Sequence, residues 1–230
     1  MKERRKIFSA ADMAAIRDGR KTMFREMVGK QKHPFGTWAT PDEVAHEFNW
    51  GTNAFVPPLG IIGDRLWLPE AHQFLRETCS YEYEEYDLFE WEHDLYGSPK
   101  DHLLAKCPRG GHRAVIGYAG EEDMEDQEMR PSITMPRWAC RTFAEITGVC
   151  VERVQEMEGM DAASSDALKE GVNRIHHEGG NYYYSAFRNQ PDPKNWTDPY
   201  LAFKELWQSR HGNWDANPWV WVYSIKLIKL

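Results

Sequence analysis

The C-terminal stretch NPWVWVYSIKLIKL (217–230) alternates with a period of two. Trp219, Trp221, Tyr223, Ile225 and Leu227 fall on one side, and Val220, Val222, Ser224, Lys226 and Ile228 on the other. Successive side chains of a strand point to opposite faces, so this run reads as a strand. With so many aromatics at strand spacing, it reads as the last core strand of a closed barrel rather than an exposed aromatic platform. Apolar residues also alternate from Phe143 to Val154, which predicts a strand pair or one long strand. DRLWLPE, bounded by Gly63 and Pro69, reads as a strand, as does HRAVIGYAG (112–120), which leads into an acidic loop. KTMFREMV (21–28) reads as extended.

The helix signals are short and local. Ser9 followed by Asp12 predicts a helix over roughly 10–18, stopped by Gly19. Thr40-Pro41-x-Glu43 predicts a second one over 41–48. SSDALKEGV is a helical turn or two closed by Gly171. Asp198 as cap, Pro199 at the first helical position and Gly212 at the stop frame the clearest helix of the chain. Many short strands with few helices, and no βαβ alternation, predict an α+β fold: a small barrel with an elaborated middle. A chain of 230 residues with 10 Trp, 10 Tyr and 10 Phe has enough apolar matter for the core of one domain spanning 1–230.

A net charge of −8 argues against bulk coating of nucleic acid, but the charge is unevenly spread. Cations crowd residues 1–32, while acids concentrate in 81–94 and 121–128. Such acidic runs read first as solvated loops. Four scattered cysteines (79, 107, 140 and 150) without a CxxC pair fit a reducing compartment. No apolar core follows the first charged residues, so no secretory signal is expected, and no run approaches the ~20 apolar residues of a membrane helix. These features predict a cytoplasmic protein.

One stretch carries candidate chemistry. In AIRDGRKTMFRE (15–26), Arg20, Lys21 and Arg25 crowd behind Gly19, with Thr22 among them. A phosphate loop requires glycine directly before the lysine and a strand before the loop. Here Arg20 precedes Lys21 and a helix precedes both, so the nucleotide-triphosphatase reading fails. Either Lys21 neutralises the negative end of the preceding helix, or it points into a cleft as a base or nucleophile. The second role needs an acidic partner and a hydroxyl or backbone donor for an oxyanion.

Four blocks, in order, extend this reading: FSAADMAAIRDGRKT (8–22); GDRLWLPEA (63–71); RPSITMPRWACR (130–141) with ITGVCVERVQ (146–155); and FKELWQSRHGNWDANPWVWVYSI (203–225) after DALKEG (166–171). The ordered set resembles the ASCH-domain family, a branch of the PUA-like barrels, and most closely its phage and prophage members. It leaves an acidic insertion of about 72–129 and a loop-rich insertion of about 172–200. The resemblance implies a PUA-like β-barrel with flanking short helices, RNA binding, and a cleft around a Gly-x-Lys motif. Some small members hydrolyse the amide of 4-acetylcytidine with a lysine, a threonine and a glutamate. By position the lysine is Lys21 and the glutamate Glu170. The threonine position is Phe24, and the arginine position is Glu26, with Arg25 beside it. On a strand, Thr22 would share a face with Phe24 at roughly 6–7 Å and point away from Lys21.

Two readings follow. One is recognition of RNA or a modified nucleobase, with Arg20, Arg25 and Arg141 supplying charge and Phe24 or Trp138 a stacking surface. The other is an N4-acylcytidine amidohydrolase in which Lys21 is base or nucleophile, Glu170 tunes it, and Thr22 or a backbone amide stabilises the oxyanion. A third reading is a phage accessory protein whose acidic insertion binds a host protein, in the host cytoplasm.

The remaining features are weaker. Arg137, Trp138 and Arg141 of PRWACR form either a cationic, aromatic surface or a strand with Trp138 packed inside. His102, Cys107 and His112, with Cys79 or His93, lack zinc-ligand spacing, so neither a metal nor a cofactor is expected. Gly179, Gly180 and NYYYSAF read as a flexible aromatic loop.

Overall fold

The computed structural model describes residues 1–33, 35–51, 54–75, 105–106, 113–118, 129–157, 165–177 and 179–228. Both acidic runs lie outside the described residues, as do Cys79, His93, His102, Cys107 and His112. The strands, in chain order, begin with β1 (Glu3–Arg5), β2 (Met23–Met27), β3 (Gln31–Lys32), β4 (Trp38–Ala39), β5 (Arg65–Trp67) and β6 (His72–Leu75). They continue with β7 (Ala105–Lys106), β8 (Arg113–Tyr118), β9 (Phe143–Arg153), β10 (Asn173–His176), β11 (Tyr182–Ser185) and β12 (Trp219–Ile228). The helices are α1 (Ala10–Arg17), α2 (Pro41–Asn49), α3 (Asp166–Lys169) and α4 (Pro199–His211).

The helix ends follow from local chemistry. The Ser9 hydroxyl caps α1 by accepting from the Asp12 amide, and Gly19 leaves the helix at φ +74°. Thr40 and Glu43 make a reciprocal capping box on α2. Asp198 caps α4, and Gly212 ends it at φ +68°.

The central sheet has the order β1-β5-β9-β12-β2, with β1 and β5 parallel and the other neighbours antiparallel. β9 is one continuous strand. A bulge at Thr147, between the pairs Ser224↔Gly148 and Ile225↔Ile146, keeps it in step with β12. Both faces of β12 are covered. Trp221, Tyr223 and Ile225 pack with Met13 and Ile16 of α1 and Val44 and Ala45 of α2. Val220 and Val222 pack with Ala167 of α3 and Ala202, Phe203, Leu206 and Trp207 of α4. The period-two run thus separates two apolar layers.

The fold is mixed α+β, but the sheet does not close into the barrel that the alternation suggested. β1 pairs only as far as Trp67, and Ser9 then starts α1, so β1 is too short to reach β2 as a ladder. Side chains bridge the two edges instead. The Lys6 ammonium donates to Glu26, and the Phe8 ring meets the Phe24 ring edge-on at 5.1 Å.

Two further expectations are corrected. Arg137–Ala139 form a 3-10 turn between Pro136 and Cys140, not a strand. Proline has no N–H to give a ladder, so PRWACR cannot continue one through Pro136. NYYYSAF is no simple loop, because Tyr182–Ser185 pair antiparallel with Asn173–His176. Gly179 and Gly180, both at positive φ, form the turn of that hairpin rather than a flexible spacer. Among the described residues no helix is long and apolar enough to cross a membrane.

Candidate functional site

Lys21 is placed by the exit from α1. Gly19 turns the chain, and the amides of Arg20 and Lys21 both donate to the Ala15 carbonyl, at 2.8 and 2.9 Å. Lys21 then bridges Glu170 backbone to backbone, and the Thr22 amide donates to the Lys169 carbonyl at 2.8 Å. Alternation sends Lys21, Met23 and Arg25 inward and leaves Thr22 exposed. Gly171, at φ +94°, lets the chain pass close to this bridge. A Cβ there would stand 3.4 Å from the Lys21 Cβ and 3.5 Å from the Ala15 Cβ. Gly171→Ala is therefore expected to cost about 1–2 kcal/mol, from the positive φ, measured by chemical denaturation.

A buried ion network follows. Lys21, 2% exposed, donates to the Glu170 carbonyl oxygen at 2.6 Å and to Glu170 Oε2 at 3.0 Å, with Asp12 Oδ1 at 3.4 Å. Arg25 donates from Nη1 to Glu170 Oε1 at 2.9 Å, and from Nη2 to Glu152 at 2.6 Å and Asp166 at 3.1 Å. Its Nε has no acceptor among the described residues. Burial works against the guanidinium charge, yet Glu170 and Glu152 outweigh it and hold Arg25 above its ordinary pKa. Burial pushes the Glu152 carboxyl up despite the Arg25 hydrogen bond.

Asp12 accepts from the Ser9 hydroxyl and from Arg210 Nη2, both at 2.8 Å. Burial alone would raise its pKa, but Lys21, Arg210 and Ser9 prevail and hold it below the ordinary carboxylate value. A depressed folded pKa contributes stability that is present above the unfolded value and lost as pH falls through the folded one. Acid unfolding followed by circular dichroism should therefore lose part of its slope below pH ~4 in Asp12→Asn.

Lys21, Arg25, Glu170, Asp12, Ser9 and Arg210 line a cavity of about 260 Å³. Its floor is Lys21, Arg25 and Glu170, and its apolar walls are Phe8, Phe24, Phe203, Leu206 and Trp207. Lys6, Glu26, Arg210 and His211 stand at its more exposed side. The cavity lies beside the β1 and β2 edges, lined by Lys6, Ile7 and Phe8 after β1 and by Phe24, Arg25 and Glu26 of β2.

The structure brings Lys21, Glu170, Arg25 and Phe24 of the candidate set together around this cavity. Phe24 is 3% exposed and already stacked on Tyr223, with centroids 5.0 Å apart, while the Lys6 ammonium lies 5.4 Å from its centroid. It is a wall of the cavity rather than an open platform. Thr22, Arg20, Arg137, Trp138 and Arg141 do not line the cavity. Arg20 meets Asp18 and Asn173. Arg137 grips Glu3 through two nitrogens and lies over Phe143. Trp138 packs beside Met135 and Phe143. Arg141 shares the buried Glu70 carboxylate with Arg17.

Sequence reasoning missed Lys6, Ser9, Asp12, Arg210 and Trp207. Ser9 and Asp12 were legible as a helix start, but nothing local marks that their side chains also face a cavity. Comparison of the chain with protein-family models, with curated proteins and with solved structures finds no match.

Proposed function

We propose that this chain recognises a planar nucleobase, free, modified or displayed by RNA, in the cavity around Lys21, as a PUA-like protein of the ASCH type would. The observation that carries the reading is the cavity's combination of aromatic walls with a fixed set of donors and acceptors on its floor. Glu170 and Asp12 can accept from a base's exocyclic amine, as acidic side chains do from cytosine. Arg25 lines the same cavity and, with Lys21, fixes the Glu170 carboxylate that faces it. Trp207 and Phe203 offer apolar surface to a ring. The volume falls just under the ~300–1,000 Å³ of small-molecule pockets, which suits one base rather than a strand. Lys21 meets three acceptors, so its role here is to hold Glu170 and Asp12 in place. The cations outside the cavity are paired with Glu3, Asp18 and Glu70, and the reading does not depend on them.

Calorimetric titration with cytidine, 4-acetylcytidine and a short RNA tests this reading. The expected result is one saturable site for at least one nucleoside, weakened in Trp207→Ala. RNA binding that no nucleoside competes away would place recognition elsewhere.

A specific observation favours the amidohydrolase as the second reading. Ser9 lines the cavity, and its hydroxyl is 2.8 Å from Asp12. It offers beside Lys21 and Glu170 the hydroxyl that Phe24 lacks. Incubation with 4-acetylcytidine should then release cytidine and acetate in the native protein and not in Lys21→Ala. No Lys21-dependent product removes this reading.

A further inference from the structure

We propose that the ligand of this cavity carries a phosphate, held at the mouth by Lys6 and Arg210. This rests on the nucleobase reading and narrows it from a nucleoside to a nucleotide. Lys6 comes from the segment that leaves β1, and Arg210 from the last turn of α4. Both line the cavity, with side-chain exposures of 19% and 38%, whereas Lys21 and Arg25 on the floor are at 1%. The cations are thus graded by depth, with Lys21 and Arg25 buried among carboxylates below and the more exposed Lys6 and Arg210 above.

The two mouth cations are close enough to repel one another, and both act on the neighbouring His211. Each has a carboxylate to one side: Glu26 for Lys6 and Asp12 for Arg210. Only Nη2 of Arg210 has an acceptor among the described residues. That leaves part of a guanidinium fork, a shape that matches phosphate oxygens, facing the same opening as a point-charge ammonium.

Burial, with Lys21 and Arg210 nearby, lowers the Lys6 pKa to about 8. The charged groups around it are Asp12 from α1, Lys21 just before β2, Arg25 and Glu26 on β2, Glu170 at the end of α3, and Arg210 and His211 on α4. A phosphate placed among them would relieve the repulsion between the cations, and its affinity should weaken as pH rises above about 8, where Lys6 of the unliganded protein gives up its proton.

The test is calorimetry on the full chain with cytidine, cytidine 3′- and 5′-monophosphate, inorganic phosphate and a short RNA. At pH 7 at least one monophosphate should bind about tenfold or more tightly than cytidine. That ratio should fall toward one in Lys6→Gln and in Arg210→Gln, and also in the native protein as pH is raised from 7 to 9. The native pH series needs no variant to fold. Preference for the short RNA over both monophosphates, with the same Lys6 dependence, would identify the phosphate as one within a strand. Equal affinities for cytidine and both monophosphates at pH 7 overturn the phosphate site and leave the base reading intact. If inorganic phosphate binds in a Lys6- and Arg210-dependent way but no cytidine compound does, the mouth site stands and the base reading fails. Phosphate binding indifferent to both substitutions overturns the proposal.

Discussion

Arg25→Met is expected to cost about 3–5 kcal/mol of folding stability, the range for removing one partner from a buried ion network. The reason lies in what stays behind. Glu152, Asp166 and Glu170 converge on one guanidinium whose side chain is 1% exposed. Methionine fills much of the volume but leaves those three carboxylates without the cation that gathers them. Their repulsion is relieved by protonation, so the deficit should shrink as pH is lowered from 7 to 5. Asp12 gives the opposite sign, since its depressed pKa makes acid destabilising. Urea denaturation of the native and variant proteins at pH 7 and 5 measures the Arg25 effect, and the Asp12 effect is read below pH ~4. A loss under 1 kcal/mol at pH 7, or a deficit that grows in acid, contradicts the network as described.

Lys21→Ala should act on binding more than on any other property. The ammonium holds Glu170 by its carboxylate and its carbonyl, and Asp12 on its other side. Without it, two acceptors lose the cation that fixes their positions, and nucleobase affinity should fall about a hundredfold, equivalent to roughly 2.7 kcal/mol. Stability should fall as well, by less than in Arg25→Met, because Asp12 retains Arg210 and Glu170 retains Arg25. Circular dichroism separates the two effects, since a folded variant that still binds like the native protein would remove Lys21 from the site.

Much of the fold was legible because its signals are local. A cap with a stop glycine for α1, a cap with a first-turn proline for α2, and all three for α4 each lie within one segment, so these helices could be bounded from the sequence alone. The alternation of β12 is likewise complete in ten residues. The open sheet was not legible. Whether β1 meets β2 depends on where Ser9 turns the chain into a helix, and no periodicity carries that. PRWACR misled because Trp and Arg suit both a strand and a surface, while Pro136 decides for a turn. The Tyr182–Ser185 strand was hidden because two glycines before aromatics look like a loop until a partner strand is known.

The site divides in the same way. Lys21 and Arg25 stood out as cations behind a stop glycine, and Glu170 was placed by resemblance. Arg210 reaches Asp12 across 198 positions, and Lys6 reaches Glu26 across an intervening helix. Neither pairing leaves a mark in the local pattern, so half of the cavity emerges only from the three-dimensional arrangement.

The central claim is that a base sits between the aromatic walls above Lys21. Methyl- and indole-labelled NMR during titration with cytidine monophosphate and 4-acetylcytidine tests it most directly. The account predicts saturable shifts at the Trp207 indole and the Leu206 methyls, with Trp138 unmoved. Shifts centred on Trp138, or none at Trp207 up to millimolar ligand, would contradict it.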